Sequence, residues 1–137
     1  MRSATVLLDT SPLVAALARN DGQHRRGLDL LTHHIGRCVT TEAVVTEATH
    51  LVARGRVDPW IILEALLAAG VPIHGLEEHQ HRTAVRLMRQ YADVGMDYAD
   101  ATLLVLAEDL GIEKVLTFDQ RGFSIFMIRG APLEIVT

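Results

Sequence analysis

The chain has 137 residues, 49% hydrophobic and only 4% aromatic, with a formal net charge of -4. A chain of that size buries a sizeable core, here of Leu, Val, Ile and Ala, which excludes a disordered protein. A broad basic footprint for nucleic acid is excluded too, so such a partner must be met locally or with cations offsetting the acids.

Lys114 is the only lysine, and the other fixed positive charges are arginines, which suit phosphate recognition. A single cysteine, Cys38, rules out an intrachain disulfide and fits a reducing compartment, so a cytoplasmic location is expected. Met1-Arg2-Ser3 and the apolar run behind it superficially resemble a secretory leader, but Asp9 and Pro12 cut that run short. No stretch is long enough to span a membrane. No repeat or linker divides the sequence, so residues 1–137 are read as one domain.

Ala4 to Leu8 is a near-continuous apolar run, as in a buried parallel strand. Ser11-Pro12 offers an N-cap followed by proline at the first helical position, predicting a helix through Ala18. Gln23 to His34 reads as a second helix and Arg37 to Thr40 as a short strand. Thr41 can cap a helix running to about Ala53, with Gly55 ending it. Asp58-Pro59 repeats the cap-plus-proline signal for a helix through Ala69. Val71 to His74 is another short strand. Glu77 to Tyr91 and Tyr98 to Leu110 are helical, the second stopped by Gly111. Lys114 to Thr117 and Leu133 to Val136 are the last strands. Short apolar strands alternating with helices predict an α/β sandwich with a mainly parallel sheet, whose ligands bind beyond the carboxyl ends of the strands.

Four acids fall where elements begin or end, or on inward helix faces: Asp9, Glu47, Asp100 and Asp119. Asp9 and Asp119 close apolar runs. Glu47 accompanies Val44, Ala48, Leu51 and Val52, the apolar stripe of its helix. Asp97 and Asp100 share a helix face, where Asp97 has the position of an N-cap. Singly, each acid also suits a turn, a cap or a solvated edge. Together, carboxylates set against apolar surface raise each other's pKa and call for a cation. An oxygen-only set suits Mg²⁺ or Mn²⁺, ions that activate water and stabilise charge on a leaving oxygen.

Leu7-Leu8-Asp9-Thr10-Ser11-Pro12-Leu13-Val14, then Glu47, then Met96-Asp97-Tyr98-Ala99-Asp100-Ala101, then Thr117-Phe118-Asp119-Gln120-Arg121-Gly122-Phe123 resemble the motifs of PIN-domain proteins. Among these the chain is most similar to the VapC ribonuclease toxins of prokaryotic toxin–antitoxin pairs. The resemblance spans nearly the whole chain and implies a three-layer α/β/α fold around a central parallel sheet. It also implies a Mg²⁺- or Mn²⁺-dependent endoribonuclease. Asp9, Glu47, Asp100 and Asp119 match the acidic ligands, and Asp97 an additional acid. Ser11 and Thr117 match hydroxyls that support the site. Gln120 and Gly122 depart from the pattern, where a basic and an acidic or polar residue are common.

On this reading Asp9, Asp100 and Asp119 hold a cation directly, and Glu47 acts directly or through water. Hydrolysis leaves a 5′-phosphate and a 3′-hydroxyl. The implied partners are an RNA substrate, a cognate antitoxin and a second copy of the chain, with DNA reached only through the antitoxin. The helix over residues 58–69 carries Trp60, Ile61, Ile62, Leu63, Leu66 and Leu67, which suits either core packing or a homodimer interface.

Arg121, just past Asp119, is the best-placed side chain to touch a phosphate or an antitoxin carboxylate, and Arg25 and Arg26 are further candidates for the groove's edge. Arg82, Arg86 and Arg89 share a helix face that reads as solvated. His33-His34 are adjacent and His79 and His81 are two apart, so neither pair shares a helix face and no histidine metal site is expected. His24 reads as a surface residue. Leu8-Asp9-Thr10-Ser11 after a strand also looks like a haloacid-dehalogenase-type phosphatase, but Ser11 stands where that family needs a second aspartate. The non-enzymatic alternative is a catalytically silent PIN-like binding module within an antitoxin–DNA repressor complex.

Overall fold

The computed structural model describes residues 3–136. Val6–Leu8 forms β1, with all three side chains buried. A strand buried on both faces sits inside a sheet. Accordingly β1 pairs in parallel with β2 (Cys38–Thr41) on one side and β4 (Lys114–Leu116) on the other. Beyond β2 lies β3 (Ile73–His74), and beyond β4 lies β7 (Glu134–Val136), also parallel. The order β3-β2-β1-β4-β7 bears out the expected parallel sheet. Chain order reverses at β1, which makes its carboxyl end the switch point where such sheets bind ligands.

Helices cover both faces, giving the expected three layers. On one face Leu7, Val39 and Val115 pack against α5 (Glu78–Gln90) and α6 (Tyr98–Leu110). On the other, Val6, Leu8, Cys38 and Leu116 pack against α1 (Thr10–Leu17), α3 (Glu42–Arg54) and α4 (Trp60–Ala68). Every residue of α6 from Ala101 to Ala107 is buried. Gly111 ends α6 in the left-handed conformation, φ 68°, as a C-terminal glycine does. Burial drives the Cys38 thiol up to about 12, so it stays protonated and inert. Among the described residues no helix is long and apolar enough to cross a membrane.

Several local expectations are corrected. Asp9, not Ser11, stands at the N-cap of α1, and the helix starts at Thr10. Pro12 is accepted inside the first turn because its missing N–H has no helical acceptor there. Asp58 gives α4 no side-chain cap; the Ile61 N–H bonds the Asp58 backbone oxygen instead. Leu51 lies off the buried stripe of α3, 38% exposed, and Val45 takes its place. Thr41 does cap α3, accepting from the Val44 N–H at 3.3 Å.

His24 is part of the packing rather than a free surface group. It belongs to α2 (His24–His34), is half-buried, and its Nδ1 lies 2.8 Å from the Ala15 carbonyl oxygen. Gly27 explains how closely α1 and α2 approach. A Cβ there would lie 2.8 Å from Ala15 Cβ and 2.9 Å from the Ala16 backbone nitrogen. Between Phe118 and Pro132 the sequence carries no clear element signal. That stretch holds α7 (Gln120–Phe123) and an antiparallel hairpin of β5 (Met127–Ile128) with β6 (Ala131–Pro132). Its turn residues, Arg129 and Gly130, both have positive φ, 52° and 80°, as a tight hairpin requires.

Candidate active site

β1 and β4 end side by side, with Leu8 opposite Leu116. The Asp9 N–H donates to the Leu116 carbonyl at 3.1 Å, which anchors the residue at the sheet edge. Asp9 is only 6% exposed. Thr117 donates its hydroxyl to Asp9 Oδ2 at 2.7 Å and accepts the Asp119 N–H at 2.9 Å. One hydroxyl therefore couples the acid after β1 to the acid after β4. Ser11 Oγ accepts the Phe118 N–H at 3.0 Å. Ser11 thus supports the loop that carries Thr117 and Asp119.

Each remaining acid is placed by a helix. Asp119 opens α7 and accepts the Gly122 N–H at 3.2 Å. A Cβ at position 122 would sit 2.9 Å from Asp119 Oδ2 and 3.2 Å from the Phe126 ring, which accounts for the glycine there. Asp97 caps α6, accepting the Asp100 N–H at 2.8 Å, while Asp100 Oδ2 accepts the Asp97 N–H at 3.1 Å. This reciprocal pair is a capping box with aspartate in place of the usual glutamate. Asp97 thus has the capping role foreseen for it, and it also fixes Asp100. Glu47 is half-buried on α3, at the edge of the apolar face.

The charges converge on Asp9. Burial pushes its carboxyl up to about 6, against the opposing hydrogen bonds from Thr117 and the Thr10 backbone, and the charges of Glu47 and Asp119 add to the rise. Asp100 is pushed up to about 8, first by burial and then by Asp97, with Asp9 adding to it. No protein cation offsets them: the ion pairs among the described residues are His79–Glu77, Arg82–Glu78 and Lys114–Glu134, none at this site. The Thr10 hydroxyl beside Asp9 is buried without a hydrogen-bond partner, a feature that no sequence pattern signals.

Among the described residues, no three His, Cys, Asp or Glu side chains lie close enough to grip one ion as they stand. Asp9, Asp97, Asp100 and Asp119 each accept a hydroxyl or backbone donor. An oxygen-only donor set with a buried, uncompensated carboxylate at its centre is nevertheless what a hard divalent cation requires.

The other candidates lie around this cluster. Arg121 is exposed on α7. Arg26 stacks its guanidinium 4.5 Å from the centre of the Phe118 ring, which brings the start of α2 to the Asp119 loop. Arg25 is exposed beside it. The histidines form no metal cluster with the described Cys, Asp or Glu side chains. His81 instead meets Tyr98, Nε2 to Oη 2.8 Å.

Both shifted acids have raised values, so above pH 3.8 the folded chain holds protons that the unfolded chain has lost. Folding is then favoured by acid, and that stability is lost as pH rises through about 6 for Asp9 and about 8 for Asp100. In EDTA, thermal melts should show Tm falling from about pH 4 to about pH 8, more steeply below about pH 6 where both acids contribute. Asp9→Asn should raise stability at about pH 8 by on the order of 1–3 kcal/mol. An Asp9→Asn protein no more stable than wild type at that pH would contradict the burial of a strained charge.

The PIN domain model matches residues 6–126 of this chain. Ribonuclease VapC26 of Mycobacterium tuberculosis is 29% identical over 121 residues, spanning 87% of this chain and 90% of that protein. The crystal structure of Mycobacterium tuberculosis VapC20, a sarcin–ricin loop cleaving toxin, superposes with a TM-score of 0.79 at 18% identity, covering 93% of this chain and 99% of that one. VapBC2 from Rickettsia felis, crystallised with a DNA fragment from its promoter, matches with a TM-score of 0.65 at 16% identity over 96% and 98% of the two chains. The structural likenesses establish the fold, and the match over residues 6–126 establishes the lineage: the chain belongs to the PIN-domain family.

Proposed function

We propose that this chain is a VapC-like endoribonuclease toxin that requires Mg²⁺ or Mn²⁺, acts in the cytoplasm and is restrained by a cognate antitoxin. The observation that carries this reading is Asp9, buried at the switch point of the sheet, pushed up to about 6 and facing Glu47, Asp100 and Asp119 with no ion pair. The ribonuclease named VapC26, similar over 87% of this chain, supports RNA as the substrate. The Rickettsia felis complex supports an antitoxin partner, through which DNA is reached indirectly.

In this mechanism Asp9, Asp100 and Asp119 would hold the cation, and Glu47 would act on it directly or through water. When bound, the cation supplies positive charge against the scissile phosphate and makes water a stronger nucleophile. The chain's own residues position and shield. Thr117 orients Asp9 and the Asp119 backbone together. Asp97 fixes Asp100 through the capping box and stands as an outer member of the cation set. Ser11 holds the Phe118 backbone. Arg121, exposed beside Asp119, contacts a phosphate or an antitoxin carboxylate. Water attacks phosphorus and the ribose 3′-oxygen leaves, giving 5′-phosphate and 3′-hydroxyl ends without a protein nucleophile.

Sequencing the ends of a mixed RNA pool, incubated with Mg²⁺, Mn²⁺ or EDTA, tests this. Cuts should need the metal and slow at least about 100-fold in Asp9→Asn. Wild-type rates from a pure Asp9→Asn sample would sink the assignment.

The pairing of two copies belongs to the same reading. Ile62 and Leu66 of α4 enter the core, while Trp60, Leu63 and Leu67 are 58%, 39% and 70% exposed. A partner surface that covers them removes apolar area from water. Light scattering should report a dimer for wild type and a monomer for Leu67→Glu; a monomeric wild type at micromolar concentration would remove the dimer from the account.

A further inference from the structure

A groove leaves the acidic edge toward β3. Glu47 and Asp97 line its inner end with Thr46, His50 and Tyr98. Thr46 and Tyr98 also line the next stretch, which reaches His74 and His81. The sheet fixes this direction, because His74 ends β3, two strands away from the Asp9 that follows β1. The two stretches are neighbours that share Ala43, Thr46 and Tyr98 as walls.

The chemistry of this groove suits a neutral, planar group. Neither stretch is lined by Arg or Lys, so a phosphate has no cation there. Glu42 lies on the wall, close enough to Gly75 that a Cβ on the glycine would meet Glu42 Oε1 at 3.1 Å. Its carboxylate repels an anion and accepts hydrogen bonds from a base edge. The His81 and Tyr98 rings lie edge to edge, centroids 6.0 Å apart and planes 26° from parallel, joined by the 2.8 Å contact of Nε2 with Oη. Tyr98 nonetheless stays 43% exposed. An aromatic ring held in place from two helices and open on one side is a platform for base stacking. Beyond β4, at the opposite end of the site, the Arg26 guanidinium lies over Phe118. Arginine is thus found on one flank of Asp9 and is absent from the lining of the other.

We propose that the groove from Thr46 and Tyr98 to His74 is a nucleobase subsite, taking one unpaired base of single-stranded RNA beside the phosphodiester held at Asp9 and stacking it on the Tyr98–His81 pair. The subsite rests on the ribonuclease reading above. It makes Tyr98 a substrate-positioning residue: loss of its ring weakens RNA binding and raises KM more than it lowers kcat.

The test uses mixed-sequence RNA hexamers carrying 2-aminopurine at one position each, bound to the full chain in Ca²⁺, with cleavage in Mg²⁺ run alongside. Binding to wild type should quench the probe at one position by stacking. Tyr98→Ala should abolish that quench and weaken binding about 5- to 100-fold, whereas Tyr98→Phe, which keeps the ring, should stay close to wild type. Thr46→Trp, which fills the groove and leaves the Tyr98–His81 contact in place, should also abolish the quench and decides the matter if Tyr98→Ala folds poorly. If wild type cuts RNA but no position is quenched, or Tyr98→Ala and Thr46→Trp bind like wild type, the subsite is wrong and the nuclease stands. If wild type neither binds nor cuts RNA, both fall.

Discussion

The hydrogen bond from Thr117 to Asp9 joins the ends of two neighbouring strands, and the site is organised around it. A carboxylate this deeply buried is costly, which is why its pKa rises. The chain tolerates it because the Thr117 hydroxyl donates to it at 2.7 Å. Thr117 also accepts the Asp119 N–H, so the second acid is set by the same side chain. Ser11 closes the frame from the first turn of α1 by taking the Phe118 N–H. Two strands, one helical turn and one loop are in this way fixed around a single buried charge.

Helix termini make the crowd of acids bearable. Asp9 precedes α1, Asp100 lies in the first turn of α6, and Asp119 caps α7. The positive end of a helix dipole favours negative charge at each of these places. Glu47 alone comes from the body of a helix, α3, and is held at the margin of its apolar face. The dipoles and hydrogen bonds offset only part of the repulsion, because Asp9 and Asp100 keep raised values. The remaining imbalance is what a divalent cation would remove, and it couples the chain's stability to the same charge that the proposed chemistry uses.

Much of this was legible in the sequence, because local chemistry and tertiary structure agree over most of the chain. The apolar run before Asp9 has the composition of a strand buried on both faces, and β1 is one. Tyr98 to Leu110, bounded by a capping aspartate and Gly111, is the helix observed, to the residue. The start of α1 was misplaced because Asp9 and Ser11 are both good caps. A contact 107 residues away, from Ser11 to Phe118, occupies the serine. Leu51 shows the limit of periodicity, since α3 presents Val45 to the core in its stead. The β5–β6 strands are two residues each, too short for any pattern to register. The groove toward β3 was invisible for a different reason. His74, His81, Tyr98 and Thr46 come from separate elements, and only the packing of α5 on α6 beside α3 brings them together.

Direct calorimetric titration of the apo chain with Mn²⁺, at about pH 6 and again at about pH 8, tests the central claim that the Asp9 cluster is a cation site. Protons compete for the same raised carboxylates, so binding should be tighter at the higher pH and release protons on loading. Asp9→Asn should weaken it at least about tenfold. Mn²⁺ binding that is absent at both pH values, or undiminished in a folded Asp9→Asn protein, would contradict the account.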